Sequence, residues 1–265
     1  MRRKRRRNNR KDRFRRSIYL LPNLFTALNM FCGFYAVIAA INAKFTPAAY
    51  AIVAAGIFDN LDGKIARATH STSKFGVEFD SLADLISFGM APGVMMYLWV
   101  LNPLGRIGWL AAFLFVVCGA LRLARFNTQV GTVGSDYFVG LPIPAGAGIT
   151  AATVLFCQKL GIEEAVHPIF FLVLLYLLSF LMVSTIPYFS FKKVELLRNR
   201  PFNVLVTAIL ILIFIAAQPP VALFLIGTIY LISGPIIGIR QYRKNGHAAD
   251  VTDVPPDEER RPNPV

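Results

Sequence analysis

Long apolar runs broken by short polar clusters recur along the whole chain. The runs have the length and near-continuous apolar character of helices crossing a bilayer, not the alternation of half-buried strands. The pattern predicts eight helical spans, at about 22–42, 47–68, 77–100, 107–126, 141–160, 166–188, 203–218 and 221–239. The first opens at Pro22 and Asn23. Thr46 and Pro47 read as an N-cap and a first-turn proline for the second. Gln218-Pro219-Pro220 separates the last two. The seventh is short for a crossing of about 20 residues, so the last pair reads as a tilted or re-entrant hairpin. Residues 246–265, rich in proline and charge, read as a disordered tail. The predicted fold class is all-α, a polytopic helical membrane protein.

Composition agrees: 55% of the residues are hydrophobic and 16% charged, against about a quarter charged in a soluble domain. The net charge of +13 is concentrated at one end, with eleven Arg or Lys between Arg2 and Arg16 against the single acid Asp12. Such an arm suits a nucleic acid or an anionic membrane surface. Directly ahead of a membrane span it reads as a topology anchor, and no nucleic-acid partner is expected. The apolar run behind it is too long for a cleavable signal, and no small-residue cleavage site closes it.

With the N-terminus inside, the outer loops hold only Lys44, Arg106 and Lys159, and the other twenty-five basic residues fall on inner segments, Lys192, Lys193, Arg198, Arg200, Arg240, Arg243 and Lys244 among them. Eight spans return the C-terminus to the same side. The expected location is therefore an inner (cytoplasmic) membrane, multi-pass, with both termini cytoplasmic. Cys32, Cys118 and Cys157 are scattered through apolar runs, which suggests neither a disulfide framework nor a zinc site.

Acidic residues within apolar spans are costly and mark functional sites. Four meet at one junction: Asp59 and Asp62 near the end of span two, Asp80 and Asp84 at the start of span three. Their i,i+3 and i,i+4 spacings put each pair on one helix face, and a short connection lets the faces meet. Four converging carboxylates repel one another, and one or two divalent cations with oxygen ligands would neutralise them. Lys64 and Arg67 follow within about a turn, and Gly63 and Gly76 leave backbone bare for a bulky ligand. Metal-binding carboxylates, an arginine and bare backbone together suit a pyrophosphate. The charge asymmetry opens this site to the cytoplasm.

The run Asp59-x2-Asp62-Gly63-x2-Ala66-Arg67-x8-Gly76-x3-Asp80-x3-Asp84 resembles the complete signature of the CDP-alcohol phosphatidyltransferase family, eight fixed positions across twenty-six residues. The resemblance implies a six-helix catalytic domain over 18–188, preceded by the basic arm 1–17 and followed by a two-helix membrane hairpin 189–245 and the tail 246–265. It implies a homodimer, and Mg2+ or Mn2+, two ions, held by Asp59, Asp62, Asp80 and Asp84. It further assigns Asp84 as the base that deprotonates the acceptor, Gly63 and Arg67 to the CDP moiety, and Ser73 to the donor phosphates. Asn23 and Thr26 resemble the family's nucleotide-contacting segment on the first helix.

Three segments outside the signature resemble the serine-accepting branch of the family: Pro22 to Asn29, Arg122 to Asn127, and Phe138 to Ala145. That likeness implies CDP-diacylglycerol as donor and L-serine as acceptor. Arg122 and Arg125 fit a serine carboxylate, and Asn127 fits its ammonium. Glycerol 3-phosphate would suit the arginines equally, an inositol phosphate acceptor remains open, and so does their reading as ordinary basic residues at a helix C-terminus. From another class, an intramembrane cation transporter would also use buried aspartates, but no internal repeat accompanies them. His70 reads as an interfacial residue, and His167 and His247 carry no signal.

Overall fold

The computed structural model describes residues 2–69, 71, 73–129, 138–162, 167–188 and 201–250. The readings placed on His70, on Lys192, Lys193, Arg198 and Arg200, on the side chains of the basic arm and of Arg240, Arg243, Lys244 and His247, and on 251–265 lie outside what is described. Among the described residues, eight helices stand where the apolar runs predict them: α1 (Arg2–Ile41), α2 (Phe45–Ala68), α3 (Lys74–Leu104), α4 (Arg106–Gln129), α5 (Ile143–Lys159), α6 (Pro168–Val183), α7 (Pro201–Ala217) and α8 (Pro219–Asp250). Four segments are each long and apolar enough to cross a membrane: Leu21–Ile41, Lys74–Leu104, Arg106–Thr128 and Pro219–Gly238. The chain is an all-α polytopic membrane protein.

Large apolar side chains cover the outside. Phe31, Phe34, Phe180 and Ile229 are each at least 60% exposed, an arrangement that water would penalise and hydrocarbon accepts. The inside is built differently. Ala36, Ala39 and Ala40 of α1 and Ala48, Ala49, Ala51 and Ala55 of α2 are buried, and small side chains let two backbones approach closely in lipid. Helices α1 and α2 form the most extensive helix contact among the described residues.

Four boundaries differ from the sequence reading. Helix α1 runs unbroken through Pro22 from Arg2, because Arg and Lys are good helix formers and one proline removes only one helical bond. Thr46 is not the N-cap of α2. That helix starts at Phe45 after Lys44, which makes no side-chain cap, because the α1–α2 turn closes tightly through Ala43 at φ +56, with Lys44 N donating to Ala39 O at 2.8 Å. Helix α6 stops at Val183, not near 188, and Pro187–Tyr188 pairs antiparallel with Phe138–Val139 as strands β2 and β1. Ser184 leaves helical backbone at ψ 164 while its Oγ donates to the Leu181 carbonyl, and Pro187 then disfavours helix in the residue before it. Helix α8 extends to Asp250 and so takes in 246–250, the first five residues of the expected tail.

Helix α3 is irregular where it matters. Two π-helical turns, Leu85–Met90 and Tyr97–Leu101, interrupt its α-helical bonding, and the first directly follows Asp84. Pro92 sits just beyond it, so the widened turn falls where a proline removes a donor. Opposite this turn lies Gly33 of α1. A Cβ there would stand 2.3 Å from Ser87 Oγ and 2.6 Å from its Cα, so only glycine lets α1 and α3 cross at this height. The crossing sets the first helix against the acidic junction.

Candidate active site

Asp59 and Asp62 lie on α2, Asp80 and Asp84 on α3, and the short connection between these helices folds the two faces together as the spacing predicts. One carboxylate oxygen from each of Asp59, Asp62 and Asp80 lies within 4.8 Å of the others. Asp84 stands outside this trio and adjoins Asp59, so the four expected ligands divide into three that converge and one beside them. Asp80 Oδ1 is buried and accepts no hydrogen bond. A buried carboxylate oxygen without a partner is expensive, and three oxygens converging around a common point form a set of hard donors for a divalent cation. The residues present fit such an ion.

Helix α1 serves the acids. Thr26 Oγ1 donates to Asp62 Oδ2 at 2.8 Å, and Asn29 Nδ2 donates to Asp84 Oδ1 at 3.1 Å. Ser87 Oγ in turn donates to the Asn29 carbonyl at 2.9 Å. Thr26, Asn29, Asp62, Asp84 and Ser87 are all buried. Thr26, which the resemblance gives a nucleotide contact, is thus hydrogen-bonded to a carboxylate of the cluster. The sequence reading passed over Asn29 as a site residue. Its signal was present: a polar residue inside an apolar span, one turn beyond Thr26 on the same helix face.

The groups assigned to the donor nucleotide line the outer edge of this cluster. Arg67 is exposed and folds over Gly63, where an added Cβ would meet its Nη2 at 3.6 Å. Ser73 is the N-cap of α3, accepting from Gly76 N at 3.0 Å, which leaves its hydroxyl proton free to donate. A Cβ on Gly76 would come 3.2 Å from Ser73 Oγ and 3.5 Å from Asn23 Oδ1. The structure thus gathers Asn23, Ser73 and Gly76 at one point, with Gly63 and Arg67 on the facing helix.

The acceptor candidates on α4 separate. Arg122 is part-buried, its Nε is buried without a partner, and it interacts electrostatically with Asp84. Arg125 turns away, donating from Nη1 to the Val183 carbonyl at 2.9 Å, where it satisfies the open C-terminal end of α6. Asn127 Nδ2 donates to Ser81 Oγ at 2.9 Å, beside Asp80, which leaves its amide oxygen available as an acceptor.

Comparison with known proteins matches the sequence to a family. The model described as CDP-alcohol phosphatidyltransferase matches residues 19–183, ending at the last residue of α6. The CDP-diacylglycerol–serine O-phosphatidyltransferase of Helicobacter pylori is 44% identical over 219 residues, covering 83% of this chain and 91% of its own length. The protein of the same name from Methanocaldococcus jannaschii is 38% identical over 184 residues, 69% of this chain and 80% of its own. The archaetidylserine synthase of Methanothermobacter thermautotrophicus is 35% identical over 174 residues, 65% of this chain and 70% of its own. The Helicobacter match takes in more of the chain than residues 1–183 hold, so it extends past the core into the region of the last two helices.

Proposed function

The chain belongs to the CDP-alcohol phosphatidyltransferase family, and from that premise we propose that it transfers the phosphatidyl group of CDP-diacylglycerol to the hydroxyl of L-serine, giving phosphatidylserine and CMP. The observation that carries the reading is the convergence of Asp59, Asp62 and Asp80, with Asp84 held beside them by Asn29. The names of the relatives supply the donor and the acceptor.

Asp59, Asp62 and Asp80 would hold Mg2+ or Mn2+, with Asp84 near enough to join them. When bound, the cations supply positive charge to the donor pyrophosphate and to the departing CMP. The chain's own groups do the rest. Gly63 and Gly76 leave room for the nucleotide, and Arg67, Ser73 and Asn23 hold its polar groups. Arg122 takes the serine carboxylate and the Asn127 amide oxygen accepts from the ammonium, which turns the serine hydroxyl toward Asp84. Asp84, fixed by Asn29, takes the hydroxyl proton as the serine oxygen bonds to the lipid-bearing phosphorus. The bond from that phosphorus to the bridging oxygen breaks, and the oxygen leaves with CMP. Positioning and electrostatics supply most of the acceleration, as elsewhere in phosphoryl transfer.

Purified protein in mixed micelles with CDP-diacylglycerol should release CMP in proportion to added serine and form phosphatidylserine. Faster consumption of glycerol 3-phosphate or an inositol phosphate than of serine would defeat the acceptor assignment and leave the family membership standing. Serine-independent, metal-independent behaviour would defeat the transfer itself.

The site faces the cytoplasm in this reading, with eight spans and both termini inside, because the basic residues of the sequence lie almost entirely on that side. A single cysteine at position 73 in an otherwise cysteine-free chain should react with a membrane-impermeant maleimide only after the membrane is opened. Labelling in intact cells would invert the topology. A homodimer, the assembly that the family resemblance implies, belongs to the same proposal, and the mass of the detergent-solubilised protein measures it.

A further inference from the structure

One stripe of α1 touches both helices of the acidic junction. Asn23, Thr26, Asn29 and Gly33 recur at intervals of three, three and four, the spacing of one helix face. Each meets a different point of the site. The first lies against Gly76, where an added Cβ would come 3.5 Å from Asn23 Oδ1. Thr26 Oγ1 donates to Asp62 of α2 at 2.8 Å, and Asn29 Nδ2 donates to Asp84 of α3 at 3.1 Å. Gly33 lies against Ser87, whose Oγ donates to the Asn29 carbonyl at 2.9 Å. Asp84 and Ser87 of α3 thereby grip the side chain and the backbone of one α1 residue. Ser87 lies within the widened turn Leu85–Met90, so the stretch of α3 that departs from α-helical bonding is the one that makes the second of these bonds.

The two donors hold carboxylates that do different work in the transfer reading. Asp62 belongs to the converging trio, and Asp84 is the base. Carboxylates this close repel one another whenever no cation lies between them, and free side chains would turn apart. Thr26 and Asn29 oppose that rotation by holding Asp62 Oδ2 and Asp84 Oδ1. All four residues are buried, so water competes little for those oxygens. Asn29 Oδ1 has no partner of its own, a cost that an apolar residue would avoid if α1 needed only to pack here. One turn of a single helix therefore carries the reference point for the trio and the reference point for the base.

We propose that this stripe of α1 sets the distance between cation and base: Thr26 is a positioning residue for the metal ligand Asp62, and Asn29, braced by Ser87, is a positioning residue for Asp84. This rests on the metal-dependent transfer reading above. It gives Thr26 a task apart from the nucleotide, and it makes Asn29 and Ser87 part of proton removal through Asp84 alone.

The test uses the full-length protein in detergent and two readouts: the rate, and the Mg2+ concentration that gives half of the metal-dependent rise in melting temperature. Thr26→Val keeps the shape and removes the hydroxyl. It should raise that Mg2+ midpoint about tenfold, as expected when a ligating carboxylate loses its hydrogen-bond partner. Asn29→Leu should lower kcat about ten- to a hundredfold at saturating Mg2+ and substrates, with the midpoint and the KM for serine within about twofold. Asn29→Ser should show the same split and replaces the leucine variant if that one does not fold. Ser87→Ala should follow the Asn29 pattern at about three- to tenfold, the effect of one neutral hydrogen bond. Unaltered kcat in a folded Asn29 variant or in Ser87→Ala would overturn the proposal. So would a midpoint shift in those variants as large as in Thr26→Val, or a Thr26→Val protein that binds CDP-diacylglycerol more weakly with its midpoint in place. An unaltered protein that lacks either the Mg2+-dependent rise or the transfer would instead overturn the function on which it rests.

Discussion

Asp80→Asn should abolish transfer and, in the same protein, the thermal stabilisation that Mg2+ or Mn2+ is expected to confer on the unaltered chain. Asp80 Oδ1 is buried with no hydrogen-bond partner and belongs to the trio of oxygens within 4.8 Å of one another. An amide keeps the shape and removes the charge, so the lost quantity is cation binding rather than packing. Metal chemistry supplies several kcal/mol to a transition state, and rates should fall by about a thousandfold or more. Asp59→Asn and Asp62→Asn should do the same. Each removes one of several mutually repelling carboxylates, so the apo proteins should melt no lower than the unaltered one. A ligand that binds only the folded state raises the melting temperature, and that rise is the readout independent of activity. Asp84→Asn separates ligand from base: standing outside the trio, it should lose activity but keep most of the metal-dependent rise. Full activity after verified metal removal with EDTA would refute the whole assignment, and loss of the rise in Asp84→Asn would place that residue among the ligands.

The acidic site was legible in the sequence for a simple reason. Charged residues in apolar helices are rare enough that four of them at helical spacing identify their own partners. Position along each helix followed from the 3.6-residue period, and the short α2–α3 connection then forced the two faces together. Asn29 was less visible because one amide in an apolar run has many ordinary explanations, and its role depends on a crossing that Gly33 permits through space. The two arginines put forward for the acceptor looked equivalent in the sequence, three residues apart on one helix. Their separation comes from tertiary contacts alone: Arg125 meets the end of α6, whose early stop at Val183 no periodicity signalled, while Arg122 is part-buried with its Nε unpartnered. Local chemistry was readable, and pairings set by long-range packing were not.

That separation makes the arginine variants the sharpest test of the acceptor assignment. Arg122→Lys should raise the KM for serine by about ten- to a hundredfold, because lysine keeps the charge but loses the planar, two-pronged donor edge, and a charge-assisted hydrogen bond is worth roughly 1.5–3 kcal/mol. The effect falls on KM if the contact is made equally in ground and transition states. Arg125→Lys should behave differently, since its Nη1 is committed to the Val183 carbonyl at 2.9 Å. It should lower the melting temperature by a few degrees, as expected when about 1 kcal/mol of bonding at a helix end is lost, and leave the serine KM within about twofold. Arg67→Lys should reverse the first pattern, raising the KM for CDP-diacylglycerol and sparing serine, because Arg67 overlies Gly63 on the α2 side of the cluster. The three variants carry the same charge as the unaltered protein, so a general electrostatic effect would move all three alike. Equal shifts for both substrates in every variant would mean that the arginines only set the fold or its register in the membrane. An Arg125→Lys protein with normal stability and a weakened serine site would return the carboxylate to Arg125.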